Sequence, residues 1–98
     1  MNKEIESIAR YYGFPHQANI LIEETSELVK ELCKYNRATT VVEKQKLYER
    51  IEEEIADVEI MLEQMRVFLG NDKIDAYKTA KIERQLERIE EEFKCQMN

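Results

Sequence analysis

The stretch IEEEIADVEIML, residues 51–62, decides how the chain is read. Its apolar residues recur at helical spacing, with Ile51, Ile55, Val58 and Leu62 forming one stripe. The spacing continues to Leu47 on one side and to Met65 and Leu69 on the other, which predicts one long amphipathic helix. Three consecutive glutamates sit inside it, with Asp57 three residues after the last. At 100° per residue from Val58, Glu52 falls at about +120° and Glu53 at about −140°, both towards solvent. Glu54 falls at about −40°, inside the apolar stripe, and Asp57 at about −100°, on its edge.

The remainder of the chain reads as three more helices. Asn2 can cap a first helix over residues 3–12, which Gly13 stops. Gly13-Phe14-Pro15 reads as a turn, and a second helix is expected over residues 16–35. Residues 36–39 read as a loop, after which Thr40 with Glu43 forms a capping box for the long helix, which runs to Leu69. Past Gly70, Asn71-Asp72 opens a fourth helix, expected to reach Lys94.

The second helix carries Ala18, Leu21, Ile22, Thr25, Leu28, Val29 and Leu32 on one face; the fourth carries Ile82, Leu86, Ile89 and Phe93. Such stripes seek one another. The expected fold is all-α, a single domain resembling a four-helix bundle, with helices two and three packed antiparallel. A chain of 98 residues with so much apolar helix surface is expected to complete its core by oligomerising, as a homodimer or homotetramer.

Composition narrows the function. The net charge is −6, which argues against binding a nucleic acid polymer by charge. No apolar run is long enough to span a membrane, and the N-terminal residues lack the apolar core of a signal peptide, so a cytoplasmic location is expected, with Cys33 and Cys95 reduced. Cys33 reads as a small core residue.

Angles on the second helix repeat the pattern of the third. Measured from Leu21, Glu24 falls at about −60°, Glu27 at about −120°, Glu31 at about −80° and Gln17 at about −40°, with Glu23 on the far side. Each of two facing helices therefore offers a carboxylate pair at i and i+3, Glu24 with Glu27 and Glu54 with Asp57. Burying like charges together is costly unless something neutralises them. A hard divalent cation is one remedy, and pairing with Lys or Arg from a neighbouring helix is another. With no paired His and no Cys ligand set, zinc is disfavoured.

EETSE (residues 23–27), 26 intervening residues and EIAD (residues 54–57) fit an EExxE…ExxD pattern. Together with YYGFPHQANILIEETSELVKEL, residues 11–32, this resembles the MazG-type all-α nucleoside triphosphate pyrophosphohydrolases, a superfamily that includes dimeric dUTPases and phosphoribosyl-ATP pyrophosphohydrolases. The likeness spans residues 11–62, about half the chain. It implies Mg²⁺-dependent cleavage of a nucleoside triphosphate to the monophosphate and pyrophosphate, with Mn²⁺ as a substitute. It further implies Glu24, Glu27, Glu54 and Asp57 as metal ligands, with Glu27 and Glu54 catalytic. The chain has no glycine-rich phosphate cradle, so basic side chains are needed. Lys78, Lys81, Arg84 and Arg88 on the fourth helix are the expected phosphate contacts, and Gln17 the expected base contact. Tyr11, Tyr12 and Phe14 are stacking candidates whose commoner role is packing. A phosphoribosyl-ATP substrate and a non-catalytic oligomerisation or nucleotide-sensing module are the competing expectations.

Overall fold

The computed structural model describes residues 2–97. Four helices follow in order: α1 (Lys3–Tyr12), α2 (Phe14–Arg37), α3 (Val41–Leu69) and α4 (Asp72–Met97). No strand occurs among the described residues.

The helix ends follow local chemistry. The Asn2 side chain accepts hydrogen bonds from the Glu4 and Ile5 amides, and Thr40 Oγ1 accepts from Glu43 N at 3.2 Å. Gly13 and Gly70 both take φ 85°, a backbone region that side chains with a Cβ rarely adopt. Each closes the preceding helix by donating its N–H, to Ala9 O and Arg66 O. The turn expected at residues 13–15 shrinks to Gly13 alone. Pro15 sits within the first turn of α2, where a missing N–H is harmless. At the other end α2 runs on to Arg37, leaving residues 38–40 as the connection.

This short connection folds α2 and α3 back on each other, and they share the most extensive packing in the molecule. Their order is antiparallel. Gln17 bonds Gln64, the Glu24 carboxylate meets those of Glu54 and Asp57, and Tyr35 meets Tyr48 edge to face at 5.6 Å, so partners rise on one helix as they fall on the other. α1 packs across α3 and the start of α2, burying Ile5 and Ala9.

Two features depart from the sequence-based expectation. The first is the direction of the α2–α3 contact. Between residues 21 and 33 of α2, only Leu21, Glu24, Leu28 and Glu31 escape full exposure; on α3 between 41 and 60, only Leu47, Ile51, Glu54 and Val58 do. These alternate by three and four, the spacing of a coiled-coil seam. The seam is not centred on the apolar stripes. At 100° per residue it is turned towards the acidic edge by about 80° on α2 and about 25° on α3. Ile22, Val29, Leu32, Ile55 and Leu62 are consequently exposed. Cys33, expected in the core, is exposed on the back of α2.

The second is α4. It packs against none of the other helices and buries no residue, so a four-helix bundle is not formed within one chain. Its start is tied to the end of α3 by Arg66, which donates to Asn71 Oδ1 at 3.0 Å and Asp75 Oδ1 at 2.9 Å. No described helix is long and apolar enough to cross a membrane.

Candidate functional site

The rotated seam carries carboxylates into the helix interface. Glu24 on α2 and Glu54 on α3 occupy seam positions and are half-buried, and Asp57 lies one turn beyond Glu54 at the rim. One carboxylate oxygen from each of Glu24, Glu54 and Asp57 lies within 4.8 Å of the others. Glu54 Oε2 is buried and has no hydrogen-bond partner. Burial pushes the Glu24 carboxyl above its ordinary 4.5, and a hydrogen bond shared with Glu54 and the negative charges of Asp57 and Glu54 push the same way. Three converging carboxylate oxygens, with a buried unpartnered oxygen on Glu54, form a group that could hold a metal ion. No lysine or arginine forms an ion pair with any of the three among the described residues.

Of the four carboxylates expected to converge, three do. Glu27 is exposed one turn further along α2 and stands outside the group. Glu52, Glu53 and Glu23 face solvent, as their angles on the wheel required. Gln17 lies elsewhere in the seam and is 4% exposed. It donates to Gln64 Oε1 at 2.6 Å, and its Oε1 is 2.7 Å from His16 Nδ1. An amide oxygen can only accept, so His16 carries its proton on Nδ1. Gln64 Nε2 in turn reaches Met61 Sδ at 3.5 Å. Both ends of the Gln17 amide are therefore engaged, one on Gln64 and one on His16. The aromatic candidates pack on neighbours: Tyr12 stacks on His16 at 4.8 Å and Phe14 meets Phe68 edge to face. Lys78, Lys81, Arg84 and Arg88 are exposed on α4, which does not pack on α2 or α3.

No family model, curated protein or solved structure matches this chain.

Two features of the site went unassigned in the sequence. The first is Glu31, the most buried carboxylate, at 8% exposure. It is 3.6 Å from Lys34, and its Oε2 has no partner. The second is the basic corner beside it, where Lys34 and Arg37 from the end of α2 face Lys46 and Arg50 from α3 around one cavity, with Glu43 on its wall. Arg50 precedes Glu54 by one helical turn, on the same side of the seam as Asp57 at 100° per residue. That angle was available in the sequence. What hid it was the expectation that cations would come from α4.

Proposed function

We propose that this chain hydrolyses nucleoside triphosphates to the monophosphate and pyrophosphate, at a divalent-metal site formed by Glu24, Glu54 and Asp57. The observation that carries this reading is the convergence of those three carboxylates across the α2–α3 seam, at residues that also fit the EExxE…ExxD pattern. A bound Mg²⁺ would supply charge neutralisation for the triphosphate and a lowered pKa for the attacking water.

The chain's own residues account for the other requirements. Glu24, Glu54 and Asp57 would hold the cation from two different helices, and the seam fixes their spacing. Glu27, exposed one turn along from Glu24, would accept the proton of the attacking water in this reading. The water oxygen bonds to the α-phosphorus as the bond to the β-phosphate oxygen breaks, and pyrophosphate leaves. The departing phosphates need cations, and the Lys34, Arg37, Lys46 and Arg50 corner on the same side of the seam offers them. Gln17 has no part in this reading, because its amide is spent on Gln64.

The exposure of Glu27 outside the carboxylate group favours a second reading, a site that binds metal and nucleotide without turning it over. A panel of NTPs and dNTPs with Mg²⁺ or Mn²⁺, scored for pyrophosphate, separates the two. Hydrolysis predicts release from at least one substrate, lost in Glu54→Gln at unchanged helicity. Metal-dependent nucleotide binding with no pyrophosphate from any substrate selects the binding module instead. Neither binding nor release ends both readings.

A further inference from the structure

One chain leaves much of its apolar surface uncovered. Among the described residues, five hydrophobic ones are buried: Ile5, Ala9, Leu47, Met61 and Met65. The exposed surface is 8102 Å². A compact monomer of 11.8 kDa exposes about 5,900 Å², so this chain carries an excess of about 2,200 Å². A stable interface of ordinary size buries about 800 Å² per partner.

The excess has a definite location. At 100° per residue, Ile22, Val29 and Leu32 of α2 and Tyr48, Ile55 and Leu62 of α3 all fall on the side of the seam opposite Glu27, Asp57 and Arg50. All six are exposed, and between the helices this side opens into a mostly apolar groove lined by Leu32, Tyr35, Tyr48, Ile51 and Ile55, with Glu52 also on its wall. The other unpartnered surface is on α4. Ile82, Leu86, Ile89 and Phe93 follow one another at spacings of four, three and four and are all exposed. Over 26 residues this helix has no packing partner in its own chain, and isolated helices gain little from propensity alone. At 1.5 Å per residue the α4 stripe spans about 16 Å and the α2 stripe from Ile22 to Leu32 about 15 Å, so one covers the other end to end.

We infer that the apolar side of the α2–α3 hairpin is a docking surface for a second copy of this chain, whose α4 lays its Ile82–Phe93 stripe along it. The exchange is reciprocal. Each copy lends α4 and receives one, so both unpartnered faces are covered by a single two-fold contact. The acidic group and the basic corner lie on the other side of the seam and stay open in the dimer.

Native mass spectrometry and sedimentation of the whole chain, without metal or nucleotide, test this directly. The expected mass is twice 11.8 kDa or an even multiple of it. Two double variants locate the contact: Val29→Glu with Ile55→Glu on the hairpin, and Leu86→Glu with Ile89→Glu on α4. Each is expected to reduce the wild-type assembly to the single-chain mass. A wild-type protein that stays at 11.8 kDa at tens of micromolar overturns the inference, as does an assembly untouched by either variant. An assembly broken by the hairpin variant but not by the α4 variant also overturns it. Should a variant fail to fold, amine crosslinking of the wild type decides. Links from Lys78, Lys81 or Lys94 to α2 or α3 must then join two chains, and their absence rejects the exchange.

Discussion

Glu24 is the residue at which burial and charge can be separated by experiment. Its carboxyl is pushed above the ordinary 4.5 by burial, by the hydrogen bond with Glu54 and by the Asp57 and Glu54 charges. Between 4.5 and that raised value, the folded chain holds a proton that the unfolded chain has released. Stability therefore falls as pH rises through this window and stays lower above it. Denaturant titration of chelator-treated protein from pH 4 to 8 should show this decline, and Glu24→Gln should flatten it while raising stability at neutral pH. A steeper decline in Glu24→Gln would mean that another group is responsible. Glu54 differs, because its Oε2 is buried with no partner. Glu54→Gln in metal-free protein is expected to keep its helicity and lose none of its denaturation midpoint, so that a loss of the proposed pyrophosphate release would report on chemistry and not on folding.

At the scale of the helix, the joints are the sensitive points. α1 and α2 are separated by Gly13 alone, at φ 85° and ψ 163°. A Cβ there would meet Pro15 Cδ at 4.0 Å, an ordinary contact, so Gly13→Ala is penalised by its backbone and not by crowding. Holding a residue with a Cβ in that region costs about 1–3 kcal/mol, and Gly13→Ala should lower the free energy of unfolding by that amount. An unchanged midpoint would show that the joint relaxes. These joints were legible in sequence because their chemistry is local. Asn2, Gly13, Thr40 and Gly70 each act on backbone within a few residues. The same holds for the sorting of Glu52, Glu53 and Glu54, since angles around one helix do not depend on its neighbours. The direction of the seam was not legible. Helix periodicity shows which residues are apolar, but α2 and α3 carry a wider apolar band than one contact can cover, and the seam lies at one edge of it, through Glu24 and Glu54. The burial of Glu31 follows from that rotation, and so does the engagement of Gln17 with Gln64. For α4, the amphipathic stripe was readable, but nothing in it says whether its partner belongs to the same chain.

At the scale of the whole molecule, the seam divides two kinds of surface, and each makes its own demand on stability. If a second copy covers the apolar side and α4, as proposed, folding is coupled to association and the melting temperature should fall when the protein is diluted. The acidic side carries the proposed cation site. At a fixed chain concentration Mg²⁺ should raise the melting temperature, and a free concentration 100 times its Kd stabilises by about 2.7 kcal/mol. The two effects act through different residues and should therefore separate. Glu54→Gln removes a ligand at the three-carboxylate site, so it should lose most of the Mg²⁺ shift while keeping the full dependence on dilution. Leu86→Glu with Ile89→Glu lies on α4, away from Glu24, Glu54 and Asp57, so it should lose the dependence on dilution while its α2–α3 hairpin, if it stays folded, keeps the Mg²⁺ shift. Scanning calorimetry of the wild type and both variants over a hundredfold range of protein concentration, with and without Mg²⁺, gives all the comparisons. If Glu54→Gln kept the whole Mg²⁺ shift, the cation would be binding elsewhere on an acidic surface and the three-carboxylate site would be refuted. If both variants lost both effects together, the two sides of the seam would be coupled, and the metal site would exist only in the assembled protein.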